Sequence, residues 1–416
     1  AATPSDRTLA LLEQLVAIDS TSAVSNLGVL DACEEVLAGV GAWTQRVPSA
    51  DEAGKAGLLA RIGPDVDGGV VLSGHTDCVP VQGQPWTTDP FALVERDDVL
   101  VGRGAADMKG FIACVLAAAP SFAEAPLARP LWVLLTWDEE IGTVGAGPMT
   151  EALLARTRPA CAIVGEPTSM RPVVAHKGVR SLKVVVHGRD GHSSKPALGA
   201  NAVVAAARLA AHVDDVAARV RAGGGDDLFD PPETTFNVAT LHGGQAINII
   251  PRRAELTFEY RPVPADDGWE LAEEILAWAE AELLPPLRAV DPSCRIEVER
   301  GALVHGLAPE AEPAGSYDGV ADDEHVPAGG GSGAAGRVTD AGAAERLARD
   351  LTGFTGDAGT VPFGTDGGWH QQAGISTVVC GPGDIDQAHQ PDEFIAPSEL
   401  AACDAFLMAL RQHLQD

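Results

Sequence analysis

The stretch Leu131-Trp132-Val133-Leu134-Leu135-Thr136-Trp137-Asp138-Glu139-Glu140-Ile141-Gly142-Thr143 decides the fold class. Its opening run is continuously apolar, the pattern of a strand covered on both faces, which belongs to parallel sheets flanked by helices. A strand is therefore expected over 131–136, and the chain then turns abruptly into Asp138, Glu139 and Glu140. Adjacent carboxylates at the end of a buried strand repel one another and gain nothing structurally there. A cation resolves the conflict by holding Glu140 ionised, and Glu139 beside it is placed to take a proton from water.

Outward from this stretch, residues 57–62, 70–73, 161–164 and 376–380 read as further short apolar strands. Helical spacing marks a first helix through Leu9, Leu11, Leu12, Leu15 and Val16 behind the caps Ser5 and Asp6, and others over 27–37, 108–119, 145–155, 343–351 and 400–414. Strands alternating with helices predict an α/β domain with a mixed, mostly parallel sheet and helices on both faces. From Val179 the pattern changes to alternating strands (181–186, 236–241, 255–260, 295–298) with helices over 202–220 and 269–283. An α+β module over 179–303, inserted between catalytic segments 1–178 and 304–416, is the expected organisation. Residues 311–336, rich in Gly, Ala, Pro and Asp without periodicity, are expected to form a mobile surface loop. His325, among Asp322, Asp323 and Glu324, reads there as part of an exposed acidic segment rather than a metal site.

A chain of 416 residues suits two domains better than one, and a hydrophobic share of 45% supports a sizeable core. The formal net charge of −30 argues against nucleic acid and anionic membranes as partners, because phosphates are repelled. Lysines are few: Lys55, Lys109, Lys177, Lys183 and Lys195. The seven cysteines, odd in number and without CxxC spacing, fit a reducing compartment. No basic-then-apolar leader and no apolar run of about 18 residues is visible, so a soluble, cytoplasmic protein is expected.

Other element ends carry metal-capable side chains. His75 follows the strand at 70–73, and Asp77 two residues on can hydrogen-bond the imidazole, as metal-bound histidines require. Asp107, in Gly104-Ala105-Ala106-Asp107-Met108-Lys109-Gly110, is either a helix cap or a carboxylate whose two oxygens bridge two cations. Glu166 ends another strand, and His389 lies in a late turn. Two imidazoles and three carboxylates without cysteine suit zinc, with cobalt or manganese as alternatives. Such a pair of ions polarises a carbonyl and activates water, which is amide or ester hydrolysis. No nucleophile-elbow serine, phosphate loop or dinucleotide fingerprint competes.

The ordered set Gly74-His75-Thr76-Asp77, Gly104-Ala105-Ala106-Asp107-Met108-Lys109-Gly110, Asp138-Glu139-Glu140, Gly165-Glu166-Pro167-Thr168 and His389 resembles the M20 metallo-amidohydrolases, whose fold is zinc-exopeptidase-like. The run Cys380-Gly381-Pro382-Gly383-Asp384-Ile385-Asp386-Gln387-Ala388-His389-Gln390-Pro391-Asp392-Glu393-Phe394 is most similar to the acetylornithine deacetylase branch. The resemblance implies that two zinc ions are held, one by His75 and Glu166, the other by Glu140 and His389, with Asp107 bridging. It implies Glu139 as general base, Asp77 as the residue orienting His75, and a cis peptide after Asp107. In the inserted module it implies His192 as oxyanion donor, and Asn248 and Arg261 as substrate-binding residues. Dimerisation through that module, an N-acyl amino acid substrate and a place in arginine biosynthesis are further expectations. A desuccinylase acting on succinyl-diaminopimelate, a dipeptidase or aminoacylase, and a non-catalytic metal-binding homologue remain alternatives. Two positions depart from the pattern. Cys78 replaces an aliphatic residue and reads as packing. Asp366 stands where relatives of this branch tend to carry glutamate, and its charge suits a cationic or polar substrate side chain.

Overall fold

The computed structural model describes residues 3–310 and 340–416, so the segment 311–336 and His325 lie outside the described residues. The chain divides into two compact units, one of Ala1–Val174, Ala308–Gly359 and Thr365–Asp416, the other of Ala175–Leu307 and Thr360–Gly364.

The strands are, in chain order, β1 Trp43–Pro48, β2 Ala56–Ile62, β3 Val70–His75, β4 Val94–Arg96, β5 Val99–Val101, β6 Leu131–Thr136, β7 Cys161–Pro167, β8 Val173–His176, β9 Val179–His187, β10 Gly191–His192, β11 Thr235–Gly243, β12 Ile249–Ile250, β13 Arg253–Arg261, β14 Arg295–Val304, β15 Gly359–Val361, β16 Thr377–Gly381 and β17 Phe394–Ile395. The α-helices are α1 Asp6–Val16, α2 Leu27–Gly39, α3 Gly110–Glu124, α4 Ala146–Leu154, α5 Ala202–Ala222, α6 Glu270–Trp278, α7 Leu284–Arg288, α8 Ala343–Thr352, α9 Gly367–Gln372 and α10 Pro397–His413.

The large sheet has the order β1-β2-β6-β3-β7-β16-β8-β15. Its central pairs β6/β3, β3/β7 and β7/β16 are parallel, whereas β1/β2, β2/β6 and β16/β8 are antiparallel. The sheet is thus mixed, as expected. Every residue of β3, β6 and β7 is buried, which explains their unbroken apolar runs. Against one face pack α1, α3, α8 and α10, whose Leu12, Phe111, Ile112, Leu347 and Phe406 share a core with Leu72 and Ile163. A second core gathers Trp132, Leu134 and Trp137 with Met149 and Leu153 of α4. Ser5 caps α1 by accepting from the Thr8 N–H, as its sequence position predicts. The segment Ala105–Glu124 is long and apolar enough to cross a membrane, but 83% of it is buried in this core, the mark of a central core helix.

The second unit is an antiparallel sheet of order β11-β13-β9-β14. Leu182, Val184, Leu256, Phe258 and Tyr260 of its strands pack against Leu209, Val213 and Val216 of α5 and Ala272 and Ile275 of α6. Alternation along β9 and β13 follows directly, since one face of that sheet is covered by helices.

Candidate metal centre

Parallel pairing brings the ends of β6, β3, β7 and β16 to one edge. Ser73 lies opposite both Leu134 and Val164, and Val164 lies opposite Val379, so these strands emerge at one level. His75 and Glu166 are therefore the last-turn residues of neighbouring strands rather than residues just beyond them. Asp107 enters from the irregular turn Ala105–Lys109, which follows Gly104 at φ 78° and contains a cis Asp107–Met108 peptide, as the resemblance implies.

The side chains converge. Asp107 Oδ1 lies 2.9 Å from His75 Nε2, and Asp107 Oδ2 lies 3.3 Å from His389 Nε2. Glu140 Oε2 is 2.9 Å from His389 Nε2, and Glu166 Oε1 is 3.8 Å from His75 Nε2. Ligand atoms of His75, Asp107 and Glu140 lie within 4.8 Å of one another, as do those of His75, Glu139 and Glu166. Glu140 thus faces both imidazoles, and the 2.9 Å contact assigns it to His389. Its other oxygen, Oε1, is buried without a hydrogen-bond partner among the described residues. A buried, unsatisfied carboxylate oxygen among further carboxylates is what a bound cation removes, so the donor set fits divalent ions.

The electrostatics agree. Burial opposes charge on His75, yet the Asp107 hydrogen bond and the Glu166 field raise its pKa well above the imidazole range. Hydrogen bonds donated to the Asp107 and Glu140 carboxylates lift His389 to about 10. Burial, outweighed by His389 and His75, leaves Asp107 below the usual carboxylate range. Glu140 rises to about 7 through burial and the Asp107 charge, and Glu139 rises well above normal through burial and Glu166. Protons on the imidazoles occupy the place of cationic charge, and metal binding must displace them.

Two expectations, on Asp77 and Asp366, are corrected. The His75 Nδ1 hydrogen bond, at 2.9 Å, goes to the Asp77 main-chain carbonyl, while the Asp77 carboxylate stands 3.6 Å away. That carboxylate instead accepts from the N–H groups of Glu139 and Glu140 at 3.1 and 3.3 Å and from Ser22 Oγ at 2.8 Å. Asp138 needs no cation, because the buried Lys55 Nζ lies 2.5 Å from its Oδ1. Asp366, expected to meet a substrate side chain, is enclosed at 1% exposure and accepts from Thr136 Oγ1 at 2.6 Å. Burial pushes its carboxyl up to about 6. Cys78 is buried with its thiol pushed up to about 11 by burial, as packing requires.

The structure gathers His75, Asp77, Asp107, Glu139, Glu140, Glu166, Asp366 and His389 within the first unit. His192, Asn248 and Arg261 belong to the second. The Ser194 N–H donates to His192 Nδ1 at 3.1 Å, which leaves the ring proton on Nε2 and makes that atom a donor. The Asn248 carbonyl accepts from the Ser193 N–H at 3.0 Å and fixes the same loop. Arg261 ends β13 and, with Lys177 and Phe229, lines a cavity of about 310 Å³. Sequence reading passed over Lys55, Arg103 and Glu393, all buried beside the site. Scarcity of lysine was the available signal for Lys55, since a lysine-poor chain does not keep one for solubility alone.

A family profile described as peptidase family M20/M25/M40 matches residues 71–413. The chain is 36% identical over 410 residues to an acetylornithine deacetylase of Myxococcus xanthus, covering 97% of this chain and 96% of that one. Its fold is similar to an M20 family metallo-carboxypeptidase of Sulfolobus solfataricus, with TM-score 0.69, 17% identity and coverage of 99% and 100%. A dinuclear metal-binding M20 peptidase of Bacillus subtilis gives TM-score 0.63 at 16% identity, covering 98% of each chain. Sequence match, fold and the carboxylate–imidazole cluster agree: the chain belongs to peptidase family M20/M25/M40 and is a metal-dependent hydrolase.

Proposed function

We propose that this chain hydrolyses the amide bond of an Nα-acyl amino acid at a pair of divalent cations, zinc foremost, and that its substrate is Nα-acetyl-L-ornithine. The products are L-ornithine and acetate. The observation that carries the two-cation reading is the division of Asp107, whose oxygens face different imidazoles. His75 and Glu166 would hold one ion and Glu140 and His389 the other. Bound there, divalent cations supply Lewis acidity toward a carbonyl oxygen and bring the pKa of water toward neutrality.

The chain's own residues account for the proton and the charge. Glu139, partly open to solvent and one residue from Glu140, takes the proton from the attacking water and returns it to the leaving amine. Asp77 holds the Glu139 main chain in place while this happens. The His192 Nε2–H donates to the oxyanion, and Arg261 with Asn248 receives the substrate's α-carboxylate. Water adds across the C–N bond, so one carboxylate and one amine leave.

The choice of ornithine rests on the deacetylases to which the chain is similar, since Asp366 is enclosed and offers the substrate no charge in this arrangement. The protein is further proposed to be cytoplasmic and to pair through its second unit. Turnover on acetylornithine, succinyl-diaminopimelate and a dipeptide panel tests the substrate, with Glu139→Gln as the catalytic control. Acetylornithine is expected to give the highest kcat/KM, and Glu139→Gln to lose about 10²–10⁴-fold in kcat with its metal content intact. Turnover of the succinyl substrate alone makes the chain a desuccinylase. An inert, metal-loaded wild type makes it a non-catalytic homologue.

A further inference from the structure

We infer that the buried pair Arg103–Glu393, with Gln84, is the positioning device that sets Asp107 and His389 relative to one another, and so sets the two cation sites. The inference rests on the two-cation reading above.

Glu393 stands shortly after His389 in sequence, yet its carboxylate reaches back under Asp107. Its Oε1 accepts from the N–H groups of Ala106 and Asp107 at 2.9 and 3.0 Å, and its Oε2 from the Gly104 N–H at 3.0 Å. Three converging main-chain donors form an anion-binding nest, here filled from within the chain. The turn they belong to is irregular, with Asp107 at φ −122° and Met108 at φ −133°. The Lys109 N–H closes it onto the Gly104 carbonyl at 2.8 Å, and Glu393 holds the Ala106 and Asp107 N–H groups in between.

A second anion beneath an acidic cluster needs compensation. Arg103 provides it: Nη1 lies 2.7 Å from Glu393 Oε2, and both residues are at most 1% exposed. The guanidinium also lies over the Trp86 ring at 5.0 Å and donates through Nη2 to Gln84 Oε1 at 2.5 Å. Gln84 closes the circuit, because its Nε2 donates to the His389 main-chain carbonyl at 2.9 Å. His389 has φ 62°, in the left-handed region that non-glycine residues seldom occupy. The circuit thus connects the main chains of Asp107 and His389 through Glu393, Arg103 and Gln84. Slack in either main chain would move an Asp107 oxygen away from its imidazole. Neither Arg103 nor Glu393 touches the reacting atoms.

The test is titration of the metal-free protein with Co²⁺, read by cobalt absorption and bound equivalents, for wild type, Glu393→Gln and Gln84→Met. Wild type is expected to take up two equivalents. Glu393→Gln, near-isosteric, is expected to keep its circular dichroism but bind about 10–100-fold more weakly, with an altered cobalt spectrum. Gln84→Met changes no charge and cuts the link between Arg103 and the His389 main chain while leaving Glu393 bonded under Asp107, so it is expected to weaken one equivalent and spare the other. If Glu393→Gln fails to fold, Gln84→Met decides alone. Wild-type affinities and spectra in the folded variants overturn the proposal, even if their melting temperatures fall. A wild type that takes up no Co²⁺ removes the two-cation reading itself and the proposal with it, a result unlike a two-step titration that the variants leave unmoved.

Discussion

Glu139 leaves its strand through Asp138, a residue at φ 54° whose carboxylate is wholly enclosed. Lys55 Nζ holds it at 2.5 Å and also donates to the Ser22 carbonyl at 2.8 Å. Removing one partner of a buried ion pair strands the other charge, which costs about 3–5 kcal/mol. Lys55→Met is therefore expected to lower the urea midpoint strongly, and Asp138→Asn in that background to recover most of the loss. A Lys55→Met protein as stable as wild type would show that the pair contributes nothing. Local sequence left Asp138 without a role beside Glu139 and Glu140, and its partner, Lys55, lies 83 residues away in the chain. Pairings across such distances leave no trace in spacing. His75 and Glu166 stood out because they lie at the ends of apolar strands and Glu140 because it closely follows one, whereas Asp107 and His389 sit in turns and stood out through the motifs around them.

At the scale of elements, the site depends on strands leaving the sheet at one level, and β7 is pressed close to α3 to achieve this. A Cβ at Gly165 would collide with the Phe111 ring, so only glycine fits beside Glu166. Gly165→Ala must push β7 from α3, and overpacking of this kind costs about 1–3 kcal/mol. A melting temperature lower by several degrees, with weaker zinc retention, is expected by calorimetry and metal analysis; an unchanged protein would contradict the packing described. The buried strands matched their expected spans within one to three residues, because continuous apolar runs mark them. β1 escaped notice since its half-buried residues include Thr44, Gln45 and Arg46. The helix expected from Met108 begins at Gly110 instead, because the Asp107 turn precedes it.

For the whole molecule, acid response is set partly by two imidazoles, one in each unit. Burial pushes His370 and His176 down to about 4. His370 is held by Thr150 Oγ1 at 2.9 Å and Ser73 Oγ at 3.0 Å, both compatible with a neutral ring. The unfolded chain, with histidine near 6.5, binds more protons between these values. The contribution is complete above about pH 6.5 and lost as pH falls to about 4, on the order of 3 kcal/mol per ring. The stability gap between wild type and His370→Gln is expected to narrow over that interval in urea unfolding; a constant gap would mean the ring titrates normally. Composition anticipated none of this, because burial of a single histidine is a property of the folded chain. Alternation replaces continuous apolar runs near Val179, and the two units divide at Val174 and Ala175.

The central claim is that one aspartate serves two cations. Anomalous scattering at the zinc edge from crystals of the zinc-loaded protein tests it most directly. Two peaks per chain are predicted, one between Asp107 Oδ1, His75 and Glu166, the other between Asp107 Oδ2, His389 and Glu140. A single peak, or peaks away from Asp107, would contradict the account.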